Sequence, residues 1–159
     1  MLTKLGVLLA VVIGCSGIAG AQKTKRIPLP PSQNPAGTTL PIAGAVWARD
    51  TLYVSGWLDP DRKTHADTKS QTVGILEDLQ KFLATQKLTM GDVVMLRVFL
   101  QGVPEKDGRA DTAGMTAGYT QFFGTKEQPN IPARTTLQQI LPAAASGALV
   151  EMDLVAVRP

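Results

Sequence analysis

The sequence predicts an α+β fold, a mixed sheet with two helices packed on one face, and three observations carry that prediction. Two segments repeat apolar residues at helical spacing: Val73, Leu76, Leu79 and Leu83 in one, Met115, Tyr119 and Phe122 in the other. Runs at 45–48, 51–55, 93–100, 135–141 and 148–157 are rich in β-branched and apolar residues between turn signals. Their order, β-β-α-β-α-β-β, interleaves the helices with strands in the manner of a single α+β sheet.

Before the first strand the chain changes character twice. Residues 1–4 give a short positive start, and 5–14 form an apolar run too short to span a bilayer as a helix. Ala19-Gly20-Ala21 follows as a small-x-small site. Residues 1–21 are therefore expected to be a signal peptide, with Gln22 as the mature N-terminus, an exported and periplasmic protein, and no transmembrane segment in the mature form. Val12-Ile13-Gly14-Cys15 offers the alternative of a lipoprotein anchored through Cys15, although this lipobox sits early. Cys15 is the sole cysteine, so a domain beyond it has no disulfide, no thiol nucleophile and no zinc–cysteine site. Residues 22–40 read as an extended N-terminal arm, since Pro28, Pro30, Pro31 and Pro35 exclude a helix. Residues 41–159 form the domain.

Arg49-Asp50 is a turn joining the first two strands into a hairpin. Ser55-Gly56-Trp57-Leu58-Asp59-Pro60 leaves the sheet, and a polar loop over 61–66 leads to Asp67, a cap for a helix over 68–85. Gly91-Asp92 connects this helix to the strand Val93–Leu100. Residues 102–108 form a turn-rich loop without the glycine spacing of a phosphate cradle. A second helix is expected over 111–123, although Gly114 and Gly118 each cost about 1 kcal/mol relative to Ala in a helix interior. Ser146-Gly147 turns the chain between the last two strands.

Two strands are apolar on both faces. In Val93–Leu100 only Arg97 interrupts. In the last strand Val150, Met152, Leu154 and Ala156 line one side, Val155 and Val157 the other. Such strands are covered on both faces. Two helices cover one face, so the other is expected to meet a second copy of the chain in an obligate homo-oligomer.

The net charge is +3, and Lys and Arg do not cluster along the sequence, so no nucleic-acid partner is expected. His65, the only histidine, is read as a solvated loop residue with no second histidine to join it as a metal ligand. A Ser-His-Asp triad has no support for the same reason. Trp57 either walls a cleft or packs an interface. Glu151 and Asp153 are two acids on an otherwise apolar strand, and they need partners. Arg134, following the stiff Pro132-Ala133, and Arg97 are the cations at hand. Two readings stay open: Arg134 or Arg97 forms a structural ion pair with Glu151 or Asp153, or Arg134 holds a ligand carboxylate in its two-pronged donor face with Glu151 orienting a water.

Asn130-Ile131-Pro132-Ala133-Arg134-Thr135-Thr136-Leu137, then Leu141-Pro142, then Val150-Glu151-Met152-Asp153-Leu154-Val155-Ala156-Val157 resembles the C-terminal signature of the Rid family. These are YjgF-type proteins that include 2-iminobutanoate/2-iminopropanoate deaminases. Val54-Ser55-Gly56 with Asp59-Pro60, the strand Val93–Leu100, and Tyr119-Thr120-Gln121-Phe122-Phe123 resemble further family motifs, so the likeness spans 41–158. The resemblance implies a chorismate-mutase-like fold, a homotrimer with clefts between subunits, and hydrolysis of short 2-imino acids to 2-oxo acids and ammonia without cofactor or metal. Arg134 matches the family arginine that grips the substrate carboxylate, and Glu151 the acid associated with the attacking water. Ser55 and Gly56 match the pair lining the cleft, and Thr135 and Thr136 extend the binding segment. The chain departs from the family at Ile42, where many deaminases have tyrosine, at Thr116, where they have asparagine, and at Thr136, often cysteine. A carboxylate-binding homologue without turnover is the alternative, followed by an RNA-related, endoribonuclease-like role.

Overall fold

The computed structural model describes residues 24–142 and 145–159. The expected leader at 1–21, with Cys15 and Ala21, lies outside the described residues. The strands are Thr24–Ile27 (β1), Ala45–Ala48 (β2), Thr51–Leu58 (β3), Val93–Leu100 (β4), Gly102–Val103 (β5), Arg109–Ala110 (β6), Ala133–Gln138 (β7) and Val150–Val157 (β8). The helices are Thr68–Thr85 (α1) and Thr112–Tyr119 (α2). Six strands form one sheet in the order β1-β2-β3-β8-β4-β7, while β5 and β6 pair as a small separate ribbon. Every neighbour in the large sheet is antiparallel except β4 and β7, which run parallel.

The first helix forms where its spacing predicts. Asp67 caps it by accepting from the Ser70 backbone N–H at 2.8 Å, and the Ser70 hydroxyl closes a capping box. That bond, with smaller help from the Ser70 hydroxyl and from the Lys69 N–H and charge, holds the Asp67 carboxyl below its ordinary value. Ile75, Leu76, Leu79 and Leu83 are fully buried against Leu52, Leu96, Val98, Met152 and Leu154 of the sheet. The second helix is shorter than expected: it begins at Thr112, capped by Asp111, and ends at Tyr119, with turns continuing toward 123. Its glycines have a packing role. A Cβ on Gly118 would lie 2.7 Å from Thr72 Cγ2 of α1, so glycine there lets the two helices approach closely.

The arm is docked on the domain. Thr24–Ile27 adds an edge strand to β2, and the Gln33 amide both donates to and accepts from the Leu58 backbone at 2.8 and 3.0 Å. Trp57 neither walls a cleft nor packs an interface. It is fully buried, leans on Phe82 at 4.8 Å between ring centres, and donates from its indole N–H to Asp78 Oδ2 at 2.6 Å. His65 also departs from expectation: its Nδ1 lies 2.6 Å from Oδ2 of the buried Asp59. In a loop beneath α1 a buried carboxylate needs a partner, and the imidazole supplies it.

Both helices lie on one face of the sheet. The opposite face carries Val46, Tyr53, Met95, Phe99, Val155 and Val157; Leu141, Ala145 and Ala148 pack against Phe99 and Leu58 at one end of it, and neither helix covers it. Tyr53 is 51% exposed there.

Candidate functional site

The parallel pairing of β4 with β7 decides where Arg134 points. Arg134 stands opposite Leu96, a residue buried on the helix side. Its side chain therefore rises on the helix face at the free edge of the sheet. Its guanidinium carbon lies 4.4 Å from the centre of the Tyr119 ring, and Nη1 is 3.8 Å from Met115 Sδ. The ring face attracts the cation and fixes its plane, whereas a thioether is a weak acceptor that leaves donor capacity unused. Burial pushes the Tyr119 hydroxyl above its ordinary pKa, and the Arg134 charge opposes that rise. No carboxylate lies within ion-pair distance of Arg134 among the described residues. Thr136, two positions along and on the same side, has a buried hydroxyl with no hydrogen-bond partner. Thr135 faces the other side, opposite Arg97. Thr116 is exposed on α2 beside Met115 and makes no hydrogen bond to Arg134.

Glu151 belongs to the open face. Opposite it, β3 carries a bulge between Val54 and Trp57 that turns both Ser55 and Gly56 outward. The Glu151 carboxylate rests on Gly56, where any Cβ would collide with it. Burial, then the neighbouring Asp153 charge, pushes the Glu151 carboxyl above its ordinary pKa. The Ser55 hydroxyl donates to the Ala43 carbonyl at 2.6 Å and pins the bulge to the segment carrying Ile42. Gly56, Glu151, Ile42 and Arg62 line one cleft of about 380 Å³.

The ion pair anticipated between the two sets of charges exists, but it is Arg97 with Asp153, 2.7 Å from Nε to Oδ1. Glu151 and Arg134 are excluded from it. Nor do they meet each other: β4 lies between β7 and β8, and the two side chains stand on opposite faces of the sheet. One chain thus presents two half-sites, an arginine half at the β7 edge and a carboxylate half on the open face. Tyr119, Met115 and Arg62 are participants that sequence reasoning did not place. The phenol at Tyr119 was read as a helix-face residue within a family-like motif, and nothing in the spacing marks it as a platform for Arg134.

Among the described residues no group of three or more His, Asp or Glu side chains gathers as a metal site. Cations do gather, contrary to the reading of the linear sequence. Lys25, Arg49, Lys87 and Arg158, from four separate segments, line one concavity, with Arg158 stacked 4.0 Å over Trp47. That concavity lies toward the β1 edge, away from Arg134.

The profile of the family described as Endoribonuclease L-PSP matches residues 35–158. A RutC family protein of Leuconostoc mesenteroides is 26% identical over 122 residues, covering 74% of this chain and 88% of that protein. A RutC family protein of Pyrococcus horikoshii is 26% identical over 120 residues, covering 73% and 86%. Among solved structures, a YjgF family protein of Neisseria meningitidis superposes with a TM-score of 0.65 at 20% identity, over 87% of this chain and 97% of that one. TdcF of Escherichia coli, crystallised with bound serine, gives 0.62 at 24% identity, over 87% and 98%. These structures share the fold: a mixed sheet with two helices on one face, the chorismate-mutase-like architecture. With the profile running through both half-sites, the chain belongs to the Endoribonuclease L-PSP family, the Rid or YjgF proteins.

Proposed function

We propose that the protein is an exported, periplasmic Rid-type deaminase, assembled as a homotrimer, that hydrolyses 2-imino acids to 2-oxo acids and ammonia. The observation that carries this reading is Arg134: a guanidinium oriented on Tyr119, without a carboxylate partner among the described residues, beside the unpartnered Thr136 hydroxyl. Such an arginine suits a carboxylate bound through two parallel N–H donors. Serine bound to TdcF is an amino acid of matching size and charge. In the assembly the arginine half of one copy faces the carboxylate half of the next, because one chain cannot bring them together.

The chemistry needs little beyond positioning. Water adds to the electrophilic C=N carbon of R–C(=NH₂⁺)–COO⁻, a proton passes to nitrogen, and the C–N bond breaks to leave R–CO–COO⁻ and NH₄⁺. Arg134 fixes the carboxylate, and Glu151 accepts a proton from the water and returns it to the departing nitrogen. No cofactor or metal takes part in these steps. Purified protein is expected to accelerate ammonia release from 2-iminobutanoate, and Arg134→Ala to reduce kcat/KM by about a hundredfold or more. Equal rates with and without protein would end the proposal.

A second reading, carboxylate binding without turnover, is favoured by Ile42 and Thr116, which bring no phenol and no amide to the two half-sites. Calorimetric binding of 2-oxobutanoate that depends on Arg134, in protein without deaminase activity, would select it. An RNA-directed role rests on the family's description alone.

A further inference from the structure

The four cations near the β1 edge come from separate parts of the chain and meet only through the fold. Lys25 stands on β1, Arg49 on the turn between β2 and β3, Lys87 just after α1, and Arg158 just after β8. They line a concavity of about 360 Å³, within the roughly 300–1,000 Å³ of small-molecule pockets. It lies toward the opposite edge of the sheet from β7 and shares no lining residue with the Glu151 cleft.

Among the described residues nothing neutralises this group. None of the four cations forms an ion pair with a carboxylate, and no Asp or Glu lines the concavity. Asp50 follows Arg49, but the contact it makes here is through its backbone carbonyl, which accepts from the Arg158 N–H at 2.9 Å. The neutral polar groups are engaged with one another. Gln86 Oε1 accepts from the Trp47 indole N–H at 3.2 Å, Gln86 Nε2 donates to the Thr85 hydroxyl at 2.9 Å, and that hydroxyl donates to the Phe82 carbonyl at 2.6 Å. The carbonyls of Ala84 and Leu83 at the end of α1 accept from the Lys87 and Leu88 N–H groups at 3.0 Å, so the helix end is closed by its own backbone. Four like charges around one space repel one another, and an anion held between them relieves that repulsion.

The cations are also held in place. Arg158 lies on the face of the buried Trp47, 4.0 Å from guanidinium carbon to ring centre, which fixes its plane and leaves its N–H edge for a ligand. Arg49 and Lys87 occupy left-handed backbone, with φ of 55° and 62°. Glycine is the unstrained residue at such positions, and Lys87 stands where glycine most often ends a helix. The chain instead keeps a long cation at both strained positions, and both line the same space. We propose that this concavity binds a diphosphate group, carried by a small soluble molecule or by the headgroup of a lipid. Two linked phosphates offer enough oxygens and charge to meet both guanidinium forks and both ammonium groups, which a single phosphate does not. The site is independent of the deaminase reading.

Calorimetry on the purified protein with sodium pyrophosphate and with orthophosphate tests this. Pyrophosphate is expected to bind about tenfold or more tightly than orthophosphate. Arg49→Gly and Lys87→Gly each remove a cation and relax the backbone that carried it. Each should keep or raise Tm while weakening pyrophosphate binding about tenfold, so lost binding is not confused with lost folding. Lys126→Ala, which removes a cation outside the concavity, should bind as the unaltered protein does. Vesicles of phosphatidylcholine doped with CDP-diacylglycerol, whose headgroup carries a diphosphate, separate the two sources. Given pyrophosphate binding, co-sedimentation that pyrophosphate displaces supports a lipid ligand, and its absence supports a soluble one. No binding of pyrophosphate, equal affinity for the two anions, binding that neither glycine variant changes, or equal weakening in Lys126→Ala overturns the proposal. Tighter binding of a single-stranded RNA than of pyrophosphate overturns it as well and assigns the concavity to a nucleic-acid backbone.

Discussion

Glu151 is the residue whose environment says most about its work. A half-buried carboxyl beside Asp153, with Arg97 already committed to Asp153, stays protonated to higher pH than an ordinary glutamate. Its raised value means the fold favours the protonated form, so the stabilising contribution is full in acid and is lost as pH rises through that value. Proton acceptance from water has the opposite requirement, the carboxylate. The rate of deamination should therefore climb with pH through a limb lying above the usual carboxylate range, and Glu151→Gln should lower the rate and erase that limb. A pH profile of kcat/KM on both proteins checks this; an unchanged limb in the variant would assign it to another group. Arg134 shows how little of such a site is written in linear order. Its identity and its entry through Pro132 were legible, and so was the need of Glu151 and Asp153 for partners. That Asp153 takes Arg97 while Glu151 and Arg134 stay apart was not, because it depends on the face each side chain occupies, and that is set by the pairing of β7 with β4.

At the scale of elements, the first helix and the hairpin were read most accurately because their signals are local. Asp67 starts α1 and the spacing of Leu76, Leu79 and Leu83 carries it to Thr85. Arg49, at a positive φ of 55°, turns the hairpin between β2 and β3. Long-range relations were less legible. β7 and β8 follow each other in sequence yet are separated by β4, and the arm's strand β1 pairs with a partner some twenty residues on. His65 was assigned to solvent because its loop is polar, whereas Asp59 lies buried six residues earlier and claims it. The same loop depends on Gln71 of α1, which is 1% exposed. Its side chain donates to the carbonyls of His65 and Gly147 at 2.9 and 2.8 Å and accepts from the Leu149 N–H at 2.7 Å. Removing it strands those backbone groups, and Gln71→Ala should lose about 2–3 kcal/mol in denaturant unfolding. A loss below experimental error would show that water replaces the amide without cost.

For the whole molecule, the uncovered face is the feature that a single chain leaves unresolved. Strands apolar on both sides, with Tyr53, Val155 and Val157 on the side without helices, call for a second copy. Tyr53→Glu should leave the subunit folded, since the side chain is 51% exposed, and shift sedimentation from the proposed trimer to monomer. Deaminase activity should fall with it, because in the proposed trimer the arginine and carboxylate halves meet across copies. A Tyr53→Glu protein that stays trimeric would move the interface to another surface.

Subunit mixing tests that central claim most directly. Arg134→Ala and Glu151→Gln proteins, each strongly impaired alone, are unfolded together and reassembled in equal amounts. A cleft built from two copies regains an intact arginine and an intact glutamate wherever the two variants meet in the right order, and about a quarter of wild-type activity should return. Mixed assemblies that form and remain as impaired as either parent would place both groups in the same chain's site and contradict the account.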